Sequence, residues 1–233
     1  MPPMQRRCRR PSILRPALAA LLALCAVPLA AQPARYALDP VHTRVLFAVE
    51  HAGFSHALGT VSGAEGELEF DPRDWSSARL DVRVPLARLD LGDAAWNRAT
   101  LGRRLLDAGR WPEARYVSGR IEPLGPDRFI VHGLLTLRGV TRPVPLEVRF
   151  NALRRHPLPP FRRTAGFSAT ATLDRHAFGI DAWPSMIGAT VELRIEAEAV
   201  RHRGAGPAPE DDEAGTTPAM PSDTDTEEEP STP

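Results

Sequence analysis

The chain has 233 residues, with 29 basic side chains, all of them Arg, against 29 acids and a formal net charge of zero. That length suits one or two domains. That zero hides a division, a mild positive balance spread through residues 32–203 and nine acids beyond them, and so mild and spread a balance is not a basic nucleic-acid patch.

Residues 1–15 hold five Arg and no acid, and residues 17–27 form an apolar run ending at Val27. Small residues follow at Ala30 and Ala31. This order of basic, apolar and small segments predicts a secretory signal peptide over 1–31. The run is too short for a membrane span, which needs ~20 apolar residues. No similar run follows, which predicts a soluble, exported protein without a transmembrane segment. Leu24 before Cys25 argues against lipidation, and Ser12 after Arg9-Arg10 argues against twin-arginine export. Both cysteines, Cys8 and Cys25, lie in the leader. The remainder must therefore be held by a core and not by disulfides. About 170 residues are enough for one.

Residues 32–203 form the expected domain, with 24 Arg against 20 acids. Strict alternation of apolar and polar residues dominates it. Val45, Phe47 and Val49 begin the pattern, followed by Leu68 and Phe70, then Leu80, Val82, Val84 and Leu86. After a break it resumes at Phe129, Val131, Gly133, Leu135 and Leu137, then Val144, Leu146, Val148 and Phe150. It ends with Phe167, Ala169, Ala171 and Leu173, then Val191, Leu193, Ile195, Ala197 and Ala199. Period two marks strands with one wet and one dry face. Roughly eight such segments predict an all-β sandwich or barrel. The polar positions carry full charges, such as Asp81, Arg83, Glu192 and Arg194. An outer-membrane barrel would show an apolar outside and a polar lumen. Here the wet face is outside.

Residues 94–106 break the period and place Leu101 and Leu105 four apart. Asp93 can cap such a helix and Gly109 can end it. Pro143 and Pro145 sit two apart in one strand. Neither donates a hydrogen bond, so a local sheet edge is expected beside them. Residues 204–233 carry nine acids and no large apolar residue except Met220. This composition predicts a disordered acidic tail, serving solubility or tethered to the Arg-bearing domain.

The motifs of catalysis are thin. His42, His51 and His56 suggest a zinc site. His42 and His51 have opposite strand parity, however, and no metal-binding His spacing exists. Ser55 beside His56, and Ser168 near Asp174 and His176, lack a Gly-x-Ser-x-Gly elbow. No phosphate loop or dinucleotide fingerprint is present. The residues point to no catalytic group, metal or cofactor.

Four blocks carry a family resemblance. Residues 38–55 hold Asp39, His42, alternating apolar residues and then His51-Ala52-Gly53. Residues 111–118 begin Trp111-Pro112-Glu113. Residues 133–144 contain Leu137-Arg138-Gly139-Val140. The last block is Arg175-His176-Ala177-Phe178-Gly179-Ile180. In this order the chain resembles the YceI-like, polyisoprenoid-binding family over about residues 36–200. The resemblance implies an eight-stranded antiparallel, lipocalin-like barrel with one short amphipathic helix. It also implies a periplasmic setting and no enzymatic activity. The lumen would hold an apolar lipid such as a polyisoprenoid or quinone. The family often has a Phe where Val61 or Ala64 stands, and an aromatic near Leu106, where this chain has Leu-Asp. Smaller lumen residues would widen the cavity.

On this reading Phe47, Val49, Phe54, Phe70, Val82, Val84 and Trp111 line the cavity. So do Leu135, Phe150, Phe167, Phe178, Met186 and Leu193. His42, His51, Arg138 or Arg175 would meet a polar head near a mouth. Each apolar position also suits a plain packed core. Two other classes remain open: a histidine-based or metal-assisted enzyme, and an interaction module with a filled barrel. No nucleic-acid partner is expected, and a homodimer is left open.

Overall fold

The computed structural model describes residues 33–202. The expected signal peptide (1–31) and acidic tail (204–233) lie outside the described residues. Eleven strands run in chain order: β1 Ala34–Leu38, β2 Arg44–His51, β3 Ser55–Ser62, β4 Glu65–Asp71, β5 Asp74–Pro85, β6 Leu89–Asp90, β7 Glu113–Pro123, β8 Arg128–Leu137, β9 Val140–Arg155, β10 Arg163–Asp174 and β11 Ile187–Arg201. Among the described residues one α-helix, α1 (Ala94–Leu101), lies between β6 and β7. Among the described residues no helix is long and apolar enough to cross a membrane.

Eight of the strands close a ring in the order β1-β4-β5-β7-β8-β9-β10-β11, and β1 pairs back to β11. All the pairings are antiparallel; Tyr36 of β1 registers with Leu68 on one side and Arg201 on the other. The expected eight-stranded antiparallel barrel is the observed fold. The three further strands are an extension of its wall. β2 pairs with the first part of β11, where β1 does not reach, and β3 and β6 follow outward from it. The break between β1 and β2 is an Asx turn: Asp39 Oδ1 accepts from the backbone N–H of Val41 at 2.8 Å and of His42 at 3.2 Å.

Alternation sets the interior as expected, with Phe129, Val131 and Leu137 of β8 and Val144 and Leu146 of β9 buried. Tyr116 reaches inward from β7, and its hydroxyl lies 2.9 Å from the Val131 carbonyl and 3.0 Å from that of Val144. Burial pushes its pKa upward. The ring fits because residue 133 is Gly: a Cβ there would stand 2.4 Å from Tyr116 Cζ.

One end of the barrel is filled by aromatics. Phe70 stacks on Tyr36 at 4.6 Å and on Trp75 at 5.1 Å. Trp75 in turn meets Phe129 at 4.7 Å and Phe150 at 4.9 Å, and Phe150 meets Phe167 at 5.6 Å. Offset and edge contacts of this kind add to the area they bury. These rings lie near the β4–β5, β7–β8 and β9–β10 turns and form a floor. Phe70→Ala should therefore cost about 3–5 kcal/mol, read as a lower urea midpoint at unchanged slope.

The helix is shorter than the period suggested. Asp93 caps it, accepting from the N–H groups of Ala95 and Trp96 at 2.9 Å each. It ends at Gly102 and not at Gly109, and none of its residues is buried. Leu105 is buried from the turn that follows. The two prolines stand at a seam as expected. β9 pairs with β10 only from Glu147 onward, so Pro143 and Pro145 face no β10 partner. A short 3-10 turn, Arg175–Phe178, lies against β9 there, and Phe178 is 1% exposed.

Candidate functional site: an apolar cavity along the barrel

Inside the barrel is a cavity of about 640 Å³, within the ~300–1,000 Å³ range of small-molecule sites. Its floor includes Trp75, Phe129 and Phe167. Its walls come from the dry faces of β2, β5, β7, β8, β9, β10 and β11, where Ala78, Ala114, Ala169 and Ala197 leave space. The far end is bounded by Trp96 of α1, Trp183, Met186 and His51. Trp96, Trp183 and Met186 are 44%, 40% and 46% exposed, so this end is the mouth. The polar residues lining the cavity as a whole are Thr43, Glu50, His51, Arg79, Thr100, Tyr116 and Arg175.

Phe47, Val49, Val82, Val84, Leu135, Phe167, Met186 and Leu193 are at the cavity wall, with His51 and Arg175. Seven expected residues are elsewhere. Phe70 and Phe150 face inward but are packed into the aromatic floor below the open space. Phe54 is in the β2–β3 turn and is 91% exposed. Trp111 packs on the backbone of the β8–β9 turn, where a Cβ on Gly139 would meet its ring at 2.5 Å. Phe178 fills the β9–β10 seam. Arg138 and Gly139 form a two-residue turn with φ of 52° and 74°, the geometry that right-twisted hairpins favour. That turn sends the Arg138 guanidinium outward to the carbonyls of Gly179 and Arg103. His42 lies outside the cavity, bonded to Asp39. Trp75, Trp96 and Trp183 are cavity residues that the sequence pattern did not single out.

Arg175 is the most unusual wall residue, a cation 3% exposed. Its Nε donates to the Gly188 carbonyl at 2.8 Å. Nη1 donates to the carbonyls of Ile180 and Ala182, and Nη2 to Ile187 at 2.8 Å. Desolvation lowers its pKa, against the pull of Asp181 and Asp174. A guanidinium has five N–H donors and stays charged; four carbonyls take four of them. His51 contacts the Trp96 ring at 5.3 Å, and Arg104 stacks over Trp183 at 5.6 Å. These contacts tie the β2 end, α1 and the loop before β11 together around the mouth.

Among the described residues the closest approach to a metal-ligand set is Asp39, His42 and Glu198, whose ligand atoms lie within 4.8 Å of one another. His42 Nδ1 is already 2.8 Å from Asp39 Oδ2. That hydrogen bond raises the His42 pKa, and the neighbouring Asp39 charge adds to the effect. Burial opposes the shift at Asp39, but bonds from His42 and the backbone outweigh it and lower its pKa. His42's part of the pair is full below the ordinary His value of 6.5 and fades as pH rises through the higher folded-state value. Asp39's part is lost as pH falls through its lowered value. An NMR titration should place the His42 midpoint above 6.5, and Asp39→Asn should lower it.

A family model described as the YceI-like domain matches residues 36–199. The chain belongs to the YceI-like family. Curated relatives agree in extent: a UPF0312 protein of Pseudomonas savastanoi is 32% identical over 175 residues, covering 74% of this chain and 90% of its own. A UPF0312 protein of Vibrio parahaemolyticus is 32% identical over 173 residues, covering 73% and 90%. Among solved structures, Burkholderia cenocepacia BcnA shares the fold at a TM-score of 0.59 and 23% identity, covering 69% of this chain and 98% of that one. A polyisoprenoid-binding domain from Saccharophagus degradans does so at 0.54 and 12%, covering 72% and 98%. The YceI-like barrel seen in these structures is therefore the fold of this chain.

Proposed function

We propose that this YceI-like protein is a periplasmic carrier that holds one apolar chain in its lumen, and that it is not an enzyme. The cavity carries the reading: about 640 Å³ of space with a predominantly aliphatic and aromatic wall, where the residue pattern also allowed a packed core. Burying a chain there is driven at ~0.8 kcal/mol per CH₂. The remaining N–H of Arg175, with His51 nearby, suits an oxygen-bearing head at the mouth, while the tail lies toward Trp75. A polyprenyl alcohol, a quinone or a similar amphiphile has that form. The name of the Saccharophagus relative supports the same ligand class. The export signal in the sequence supports the compartment.

The histidines support a binding role better than a catalytic one. His42, His132, His176 and His202 are each bonded to a carboxylate at 2.8–3.0 Å outside the cavity. Mass spectrometry of solvent extracts from the purified protein, followed by titration with a polyprenol, tests the proposal. A co-extracted lipid and saturable one-to-one binding are expected. Clean extracts with no binding would reject it.

A further inference from the structure

The β9–β10 hairpin projects past the aromatic floor. Residues 148–173 hold five Arg and no acid. Arg149 pairs with Asp127 at 3.4 Å. The others, Arg154, Arg155, Arg162 and Arg163, flank the hairpin tip. Among the described residues no carboxylate pairs with Arg154, Arg162 or Arg163, and Arg163 Nε is buried without a hydrogen-bond partner. Between the arginines, Leu158 and Phe161 are 65% and 53% exposed. This combination of concentrated positive charge and exposed apolar side chains attracts an acidic partner with some apolar or small-residue character.

The chain itself supplies one. β10 and β11 are neighbours, with Thr164 opposite Val200, so the chain leaves β11 beside the base of this hairpin. Residues 204–233 carry nine acids and no base. The first acidic cluster, Glu210, Asp211, Asp212 and Glu213, starts nine residues after Arg201. An extended stretch of that length spans up to about 30 Å, enough to return to the hairpin tip. Linkage of this kind holds a segment at an effective concentration of order mM.

We propose that the acidic segment 204–233 docks on the arginine face of the β9–β10 hairpin. Its carboxylates pair with Arg154 and Arg162, and its backbone covers Leu158 and Phe161. The face is thereby masked from other polyanions, including anionic lipid surfaces. The inference is independent of what the cavity binds.

The test uses the full chain. In one variant Glu210→Gln, Asp211→Asn, Asp212→Asn and Glu213→Gln neutralise the first acidic cluster. In a second, Arg154→Glu and Arg162→Glu reverse the face. Amide NMR signals of residues 154–163 should differ between the wild type and the first variant, while those of Trp96 and Trp183 at the mouth stay fixed. The difference should vanish in 0.5 M NaCl, where screening lengths fall to about 4 Å. It should also be absent when the same tail substitutions are made in the arginine-reversed chain. Binding to vesicles of phosphatidylcholine with one-third phosphatidylglycerol should rise on the order of tenfold or more when the tail is neutralised. Identical hairpin signals in the wild type and the tail variant would overturn the proposal. So would equal vesicle binding by the two, because the hairpin would then be open to a lipid surface in the intact protein.

Discussion

Replacing Ala169 with Trp should abolish uptake of an apolar chain while leaving the barrel folded. Ala169 is on the inward face of β10, is 8% exposed, and borders the cavity. An indole there extends into space that is empty of protein, so overpacking strain is small compared with ~1–3 kcal/mol for an insertion into a filled core. The ring would displace several methylenes of the bound chain. At ~0.8 kcal/mol each, losing five is a loss on the order of a thousandfold in affinity. Titration with a polyprenol, alongside a thermal melt, separates the two readings of the lumen. Lost binding with a nearly unchanged melting temperature is the result for a cavity. A large drop in melting temperature is the result for a packed core.

Arg175→Leu should be the most damaging single change to stability at the mouth. The guanidinium satisfies the carbonyls of Gly188, Ile180, Ala182 and Ile187, which come from the turn after β10 and the start of β11. Leu has similar bulk but no donor, and leaves four carbonyls, one buried and three part-buried, without this partner. Losses of this kind cost about 3–5 kcal/mol in total. Arg175→Lys keeps the charge but cannot fork to four carbonyls, so it should recover only part of that cost. Urea titrations of the three proteins measure the order. Equal stability of wild type and Arg175→Leu would mean that the carbonyls are solvated or rearranged.

The strands and their dry faces were legible because alternation is a local property. Every inward position read from β8, β9, β10 and β11 has the side expected of it. Depth along the barrel axis was not legible. Phe70 and Phe150 have the inward parity of wall residues, yet the floor claims them, because period two records a face and not a height. Residues off the strands were the hardest to place. Phe54, Trp111, Phe178 and Arg138 sit in turns or before strands, and only the folded neighbours decide where those side chains go. Trp75 lacks the alternation signal of its strand for a local reason. It is three residues from Ala78, and both are buried. A slip in the β4–β5 register between Glu69 and Asp71 puts it out of phase with the rest of β5. Trp183 had no periodic context at all, and the helix signal around Trp96 did not show which way the ring would turn.

The central claim is that one chain lies along the lumen, tail to the aromatic floor and head at the mouth. A crystal structure with a polyprenol carrying bromine on its terminal carbon tests it most directly. An anomalous bromine peak beside Trp75 and Phe129 is expected, with the alcohol oxygen within hydrogen-bond distance of Arg175. Bromine at the mouth, or a lumen closed by the protein's own side chains, would contradict it.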